Sequence, residues 1–99
     1  MRRGRRDGNH KALSELFVRL GFSWADLVDT GVPGLPDGVA GLFQKNHLVE
    51  FKDPETSYGR AGLNPNQMAF ARDWKGEPVS VVSTQDDVIA LVAKWRKSK

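Results

Sequence analysis

Apolar residues along this 99-residue chain change period several times, and each change marks an element. Leu13, Leu16, Phe17 and Leu20 recur at i, i+3, i+4 and i+7, which predicts a helix with one buried stripe. Asp7 can cap its start, and Gly21 offers a left-handed stop. Trp24 to Asp29 mixes apolar and acidic residues and reads as a short strand. It ends at Thr30-Gly31-Val32-Pro33-Gly34-Leu35-Pro36, whose prolines and glycines forbid continued helix. Asp37 to Phe43 and His47 to Lys52 flank Gln44-Lys45-Asn46, a polar connection of hairpin length, so two adjacent antiparallel strands are expected. Asp53 to Leu63 is polar, glycine-bearing and unpatterned, and reads as a long mobile loop. Asn64 before Pro65 opens a second helix with Gln67, Phe70, Ala71 and Trp74 on one face, ending at Gly76. Val79 to Ser83 is a valine-rich strand. Thr84 with Asp87 then starts a last helix presenting Val88, Leu91, Val92 and Trp95. The order is αβββαβα: an α/β fold with a mixed central sheet flanked by helices, and no internal repeat or linker.

Composition narrows this to one domain. The length suits a single core of ~100–150 residues, and a hydrophobic fraction of 39% is close to the globular average of about 45–50%. No apolar run approaches the ~18–20 residues of a membrane span. The arginine-rich start lacks an apolar stretch before a cleavage site, so no membrane partner and a cytoplasmic setting, phage or bacterial, are expected. The absence of cysteine excludes disulfides, thiolate metal sites and cysteine nucleophiles. The net charge of +3 conceals a division along the chain. Arg2, Arg3, Arg5 and Arg6 form a basic arm over residues 1–6, and Lys94, Arg96, Lys97 and Lys99 close the 7–99 domain. Between these ends, seven basic residues face all twelve acids, a balance of −5. Basic ends on an acidic body suit a polyanion partner, and the acidic interior can supply carboxylates to a metal; solvated, solubilising termini are the alternative.

Strand alternation gives the sharpest local observation. Leu48, Glu50 and Lys52 share one face of the third strand, Val49 and Phe51 the other. Glu50 with Lys52 is either a surface ion pair of ~0–1 kcal/mol or part of a site. Asp37 begins the neighbouring strand after the Pro-Gly-Leu-Pro bend, and the hairpin can bring it towards Glu50. Two facing carboxylates repel, and a hard divalent cation relieves that repulsion, although a turn aspartate bonded to nearby amides would have the same sequence. Gln67 is polar on an otherwise apolar helix face, where a core-edge glutamine bonded to backbone is one explanation. His10 and His47 lack any zinc-ligand spacing and are expected to be polar surface residues. Trp74 and Trp95 occupy periodic helix faces and are expected in the core, which leaves Tyr58 and Arg60, in the loop, as the better contacts for DNA.

Gly34-Leu35-Pro36-Asp37 followed by Val49-Glu50-Phe51-Lys52 resembles the split PD and E-x-K signature of the PD-(D/E)XK nuclease superfamily. The whole chain, from Asp7-Gly8-Asn9-His10 through Leu63-Asn64-Pro65-Asn66-Gln67 to the final helix, is similar to small phage-type members of the VRR-NUC and Holliday-junction-resolvase-like group. The resemblance implies an αβββαβ restriction-endonuclease-like core. It further implies that Asp37 and Glu50 are metal-binding acids, the Phe51 carbonyl a main-chain ligand, Lys52 the catalytic lysine and Gln67 a site glutamine, with Mg²⁺ or Mn²⁺ as cofactor. One position departs from the family: Ala12 stands where relatives often carry a helix-one glutamate, and Glu15 lies almost opposite the apolar stripe. The expected activity is a metal-dependent endonuclease acting on branched or duplex DNA as a homodimer. The alternative is a catalytically silent nucleic-acid-binding module with the same fold.

Overall fold

The computed structural model describes residues 9–28 and 30–98, with Tyr58 described by its backbone alone. The arginines Arg2, Arg3, Arg5 and Arg6, the Asp7 cap and the Tyr58 side chain therefore lie outside the described residues. Eight elements follow one another: α1 (His10–Arg19), β1 (Ser23–Asp26), β2 (Gly38–Leu42), β3 (Lys45–Phe51), α2 (Ser57–Arg60), α3 (Pro65–Asp73), β4 (Ser80–Val82) and α4 (Gln85–Lys97). The architecture is mixed α/β. One sheet has the strand order β1-β2-β3-β4, antiparallel at β1–β2 and β2–β3 and parallel at β3–β4. Among the described residues, no helix is long and apolar enough to cross a membrane.

The apolar stripe of α1 sets the core. Leu13, Leu16 and Phe17 are buried, and with Val88 and Val92 of α4 they cover the sheet face built by Ala40, Val49, Phe51 and Val82. Phe17 is fully buried and stacks near the rings of Trp24 and Trp95. Deleting a ring so enclosed costs about 3–5 kcal/mol in comparable cores. The stop of α1 is a Schellman turn: Phe22 N–H bonds the Phe17 carbonyl and Gly21 N–H the Val18 carbonyl, each at 3.0 Å, with Gly21 at φ 101°. The Phe17 and Phe22 rings, 5.8 Å apart, supply the hydrophobic contact that accompanies it.

Local chemistry corrects the sequence reading of two connections. The hairpin connection is Phe43-Gln44 rather than Gln44-Lys45-Asn46, because Leu42 pairs directly with Lys45. Both turn residues have positive φ, 56° and 63°. A two-residue turn of this hand matches strand twist, and neither residue type announces it. The expected loop after β3 instead folds into a turn and the short α2. Asp53 Oδ1 accepts from Glu55 N–H at 2.9 Å and Thr56 Oγ1 from Gly59 N–H at 2.9 Å, side-chain to backbone bonds to which hydrophobic periodicity is blind. The order is thus αβββααβα.

Both histidines are buried, not on the surface. His10 is 1% exposed and His47 5% exposed, because each lies in phase with a core stripe: His10 with Leu13 and Phe17, His47 with Val49 and Phe51. His10 packs edge-on against Phe51 and bonds Asp26 Oδ1 through Nε2 at 3.0 Å. His47 stacks on Trp95 with ring centroids 3.8 Å apart, and burial pushes its pKa below the ordinary 6.5 despite Glu77 at 3.9 Å. Trp95 joins the core edge as expected. Trp74, expected in the core, is 47% exposed and stacks on Phe70 instead, because α3 has no fully buried residue.

Candidate functional site

The second face of the sheet holds the polar residues. β3 alternates, so Glu50 turns away from the core face occupied by Val49 and Phe51, and Lys52 follows it one step past the strand end. Both are buried, Glu50 at 5% and Lys52 at 2% exposure. Lys52 Nζ stands 3.6 Å from Glu50 Oε2. The pair is therefore not the exposed ion pair that the sequence also allowed, and charges so enclosed require further hydrogen bonds.

Those bonds come from α3. Gln67 Nε2 donates to Glu50 Oε2 at 2.9 Å, and Gln67 Oε1 accepts from Lys52 Nζ at 2.9 Å. The same Oε1 accepts from Asn64 N–H, while Gln67 N–H donates to Asn64 Oδ1, each at 2.9 Å. A capping box at the start of α3 thus holds the bridging amide in place. A capping box accepts glutamate or glutamine equally; only glutamine can also donate to a carboxylate. The backbone-bonded and site-directed explanations of Gln67 are both realised in one side chain.

Asp37 reaches the site from the other neighbouring strand. The β2–β3 register pairs Gly38 with Val49, which sets Asp37 one step beyond, level with Glu50. Its Oδ2 accepts from Phe51 N–H at 2.7 Å, and its carbonyl accepts from Leu27 N–H at 2.8 Å. Oδ1 has no protein donor among the described residues. The preceding bend is pressed against α3: at Gly34, with φ 75°, a Cβ would collide with the Asn66 carbonyl. Gly38 is equally constrained, since a Cβ there would strike the Trp24 indole that lies across it. The bend, β2 and the start of α3 are therefore packed as one unit around Asp37.

Asp37, Glu50 and the Phe51 carbonyl offer oxygen donors only, the set a hard divalent cation takes. No group of three or more His, Cys, Asp or Glu side chains that could hold a metal occurs among the described residues, so a cation here would rest on two carboxylates, main-chain oxygen and water. Mg²⁺ and Mn²⁺ fit that chemistry, and zinc, which favours nitrogen and sulfur, does not.

Other candidates stand further out. Arg60 is exposed and its Nη1 donates to the Pro54 carbonyl at 3.1 Å, folded back on its own segment. Glu15 is exposed and pairs with Lys11 at 3.3 Å, as its helical phase required, and Ala12 is also exposed. The residue that sequence reasoning undervalued is Asn9. Its side chain makes no cap bond and donates instead to the carbonyls of Lys52 and Ser83. Nothing local in the sequence signals a bond to residues 43 and 74 positions away. No protein-family model, curated protein or solved structure matches this chain.

Proposed function

We propose that this protein is a Mg²⁺- or Mn²⁺-dependent DNA endonuclease of the PD-(D/E)XK type. The observation that carries this reading is the Glu50–Gln67–Lys52 bridge, with the Asp37 carboxylate bonded to the intervening Phe51 N–H. Glu50, Lys52 and Gln67 thus meet across β3 and α3, and Asp37, just before β2, is tied to the same strand end through the Phe51 N–H. A purely structural ion pair has no need of a second carboxylate at the same strand end.

In this reading Asp37, Glu50 and the Phe51 carbonyl hold the cation, which when bound supplies Lewis acidity towards a phosphate oxygen. Lys52 orients the attacking water and offsets the negative charge that grows on the pentavalent phosphorus. The water oxygen forms the new P–O bond, the bond to one sugar oxygen breaks, that oxygen takes a proton and water releases one to solvent. The products are a phosphate and a hydroxyl end. Gln67 bonds both members of the Lys52–Glu50 pair and so holds the two charged groups aligned. The basic arm with Arg2, Arg3, Arg5 and Arg6, together with Tyr58 and Arg60, is assigned to DNA backbone contact, and a homodimer would present one site to each strand of a branched substrate.

The test is a cleavage panel of duplex, single-stranded, flap and four-way-junction DNA with Mg²⁺, Mn²⁺ or chelator. Metal-dependent cleavage that is fastest on branched DNA, from a species of about twice the 11.0 kDa chain mass in sedimentation, is expected. Salt-sensitive binding with no cleavage in either metal would replace the enzyme by a silent binding module, a reading favoured by Ala12 at the helix-one position.

A further inference from the structure

Asn9 sits where two parallel strands part. β3 and β4 pair as far as Phe51 with Val82, and Lys52 N–H donates to the Val82 carbonyl at 3.0 Å. There the ladder stops. The N–H groups of Ser83 and Thr84 turn to Asp87 Oδ2, at 2.8 and 3.1 Å, as α4 begins. The carbonyls of Lys52 and Ser83 lie at the parting point, and Asn9 Nδ2 donates to both, at 3.1 and 2.7 Å. Two carbonyl acceptors around one atom identify that atom as the NH₂ group, which carries two donors. Meanwhile Asn9 Oδ1 is buried without a partner among the described residues, and the start of α1 receives no side-chain cap. The residue leaves its ordinary local role unfilled and joins two distant strand ends.

We propose that Asn9 is a positioning residue for Lys52. Lys52 lies one residue past β3, followed by the Asp53 turn, so sheet bonding alone holds only the N–H side of this residue. The Asn9 bond fixes its carbonyl side. With both flanking peptides held, φ and ψ of Lys52 are fixed, and backbone conformation selects the side-chain rotamer. That rotamer carries Nζ to Gln67 and Glu50. Because the second bond runs to Ser83, the same amide ties the site to the start of α4. The kinetic consequence rests on the nuclease reading; the conformational one does not.

The experiment compares wild type with Asn9→Ala and Asn9→Asp. Asn9→Asp turns a carboxylate against two carbonyls, whereas Asn9→Ala only removes the donors, which keeps the test open if the aspartate variant does not fold. In Asn9→Ala with Mn²⁺ we expect kcat to fall about 10- to 100-fold, with KM for DNA and calorimetric Mn²⁺ affinity within about twofold. The Gln67 side-chain amide resonances, which report the bridge to Lys52 and Glu50, should shift while near-UV circular dichroism is retained. A lowered melting temperature with Gln67 resonances at their wild-type positions would make Asn9 a structural tie only and overturn the proposal. If wild type cleaves no DNA, the nuclease reading falls, and the Gln67 resonances still decide whether Asn9 positions Lys52.

Discussion

The two ends of β3 bury polar side chains by different means. At its start, His47 enters the core face as a ring: Trp95 stacks on it, burial lowers its pKa, and Glu77 stands at 3.9 Å. At its end, Glu50 and Lys52 enter the opposite face as an ion pair whose atoms are shared with Gln67. One end is packing with a polar rim. The other gathers groups from β2, β3 and α3, with Asn9 of the α1 start behind them. Burial of a polar residue is therefore not by itself a mark of function; convergence of several elements on one pair of charges is the more informative feature.

The largest effect that can break this comparison is on cleavage. Lys52→Ala, Asp37→Asn and Glu50→Gln should each lower the rate by about 10²- to 10³-fold or more, whereas His47→Phe, which preserves a ring on Trp95, should leave it within about twofold of wild type. Single-turnover rates on one DNA substrate decide this, and an equal loss in His47→Phe would erase the distinction between the two ends. Glu50→Gln should also unfold earlier in denaturant, because it leaves Lys52 in a buried site without its carboxylate partner.

Gln67→Glu sharpens the comparison further. It keeps the capping box with Asn64 but sets a second carboxylate against Glu50, so a fall in activity of about 10- to 100-fold is expected. Helicity by far-UV circular dichroism should be retained. Wild-type activity in this variant would mean that the amide donor to Glu50 has no part in the site.

At the other end of β3 the expected effect is on stability alone. The folded protein holds His47 below its ordinary pKa, so the unfolded chain binds more protons as pH falls through 6.5 and below. The stability associated with neutral His47 is complete above that pH and lost on acidification, at no more than about 1.4 kcal/mol per pH unit. Chemical denaturation at pH 7.5 and 5.5 should show a steeper loss for wild type than for His47→Phe. A steeper loss in the variant would contradict the assigned direction.

The smallest effect lies between β2 and β3, remote from Lys52. Replacing Phe43-Gln44 by Asn-Gly supplies residues that accept positive φ and should stabilise by about 1 kcal/mol. The denaturation midpoint should rise with cleavage unchanged.

The helices were legible where periodicity and capping agree. The α1 stripe, the Asn64-Pro65 start and the Thr84–Asp87 capping box all occur where the pattern puts them. β3 was legible too, since alternation assigns Glu50 and Lys52 to one face. The Phe43-Gln44 turn and α2 were not, because positive φ at ordinary residues and Asp or Thr bonds to nearby N–H groups leave no hydrophobic period. The exposure of Trp74 was missed for a related reason: a periodic face predicts a core only if something packs against it.

Residue order alone thus determined which side chains share a face, because the repeats of helix and strand are fixed by backbone geometry. It put Asp37 at the start of the second strand, Glu50 and Lys52 at the end of the third, and Gln67 in the first turn of the helix opened by Pro65. Only the tertiary structure decided that Gln67 bridges the two charges, that Asp37 bonds the Phe51 N–H between them, and that Asn9 bonds Lys52 and Ser83 rather than capping its helix. The physical reason is that such bonds join residues far apart in the chain, and their partners are set by how the helices cover the sheet.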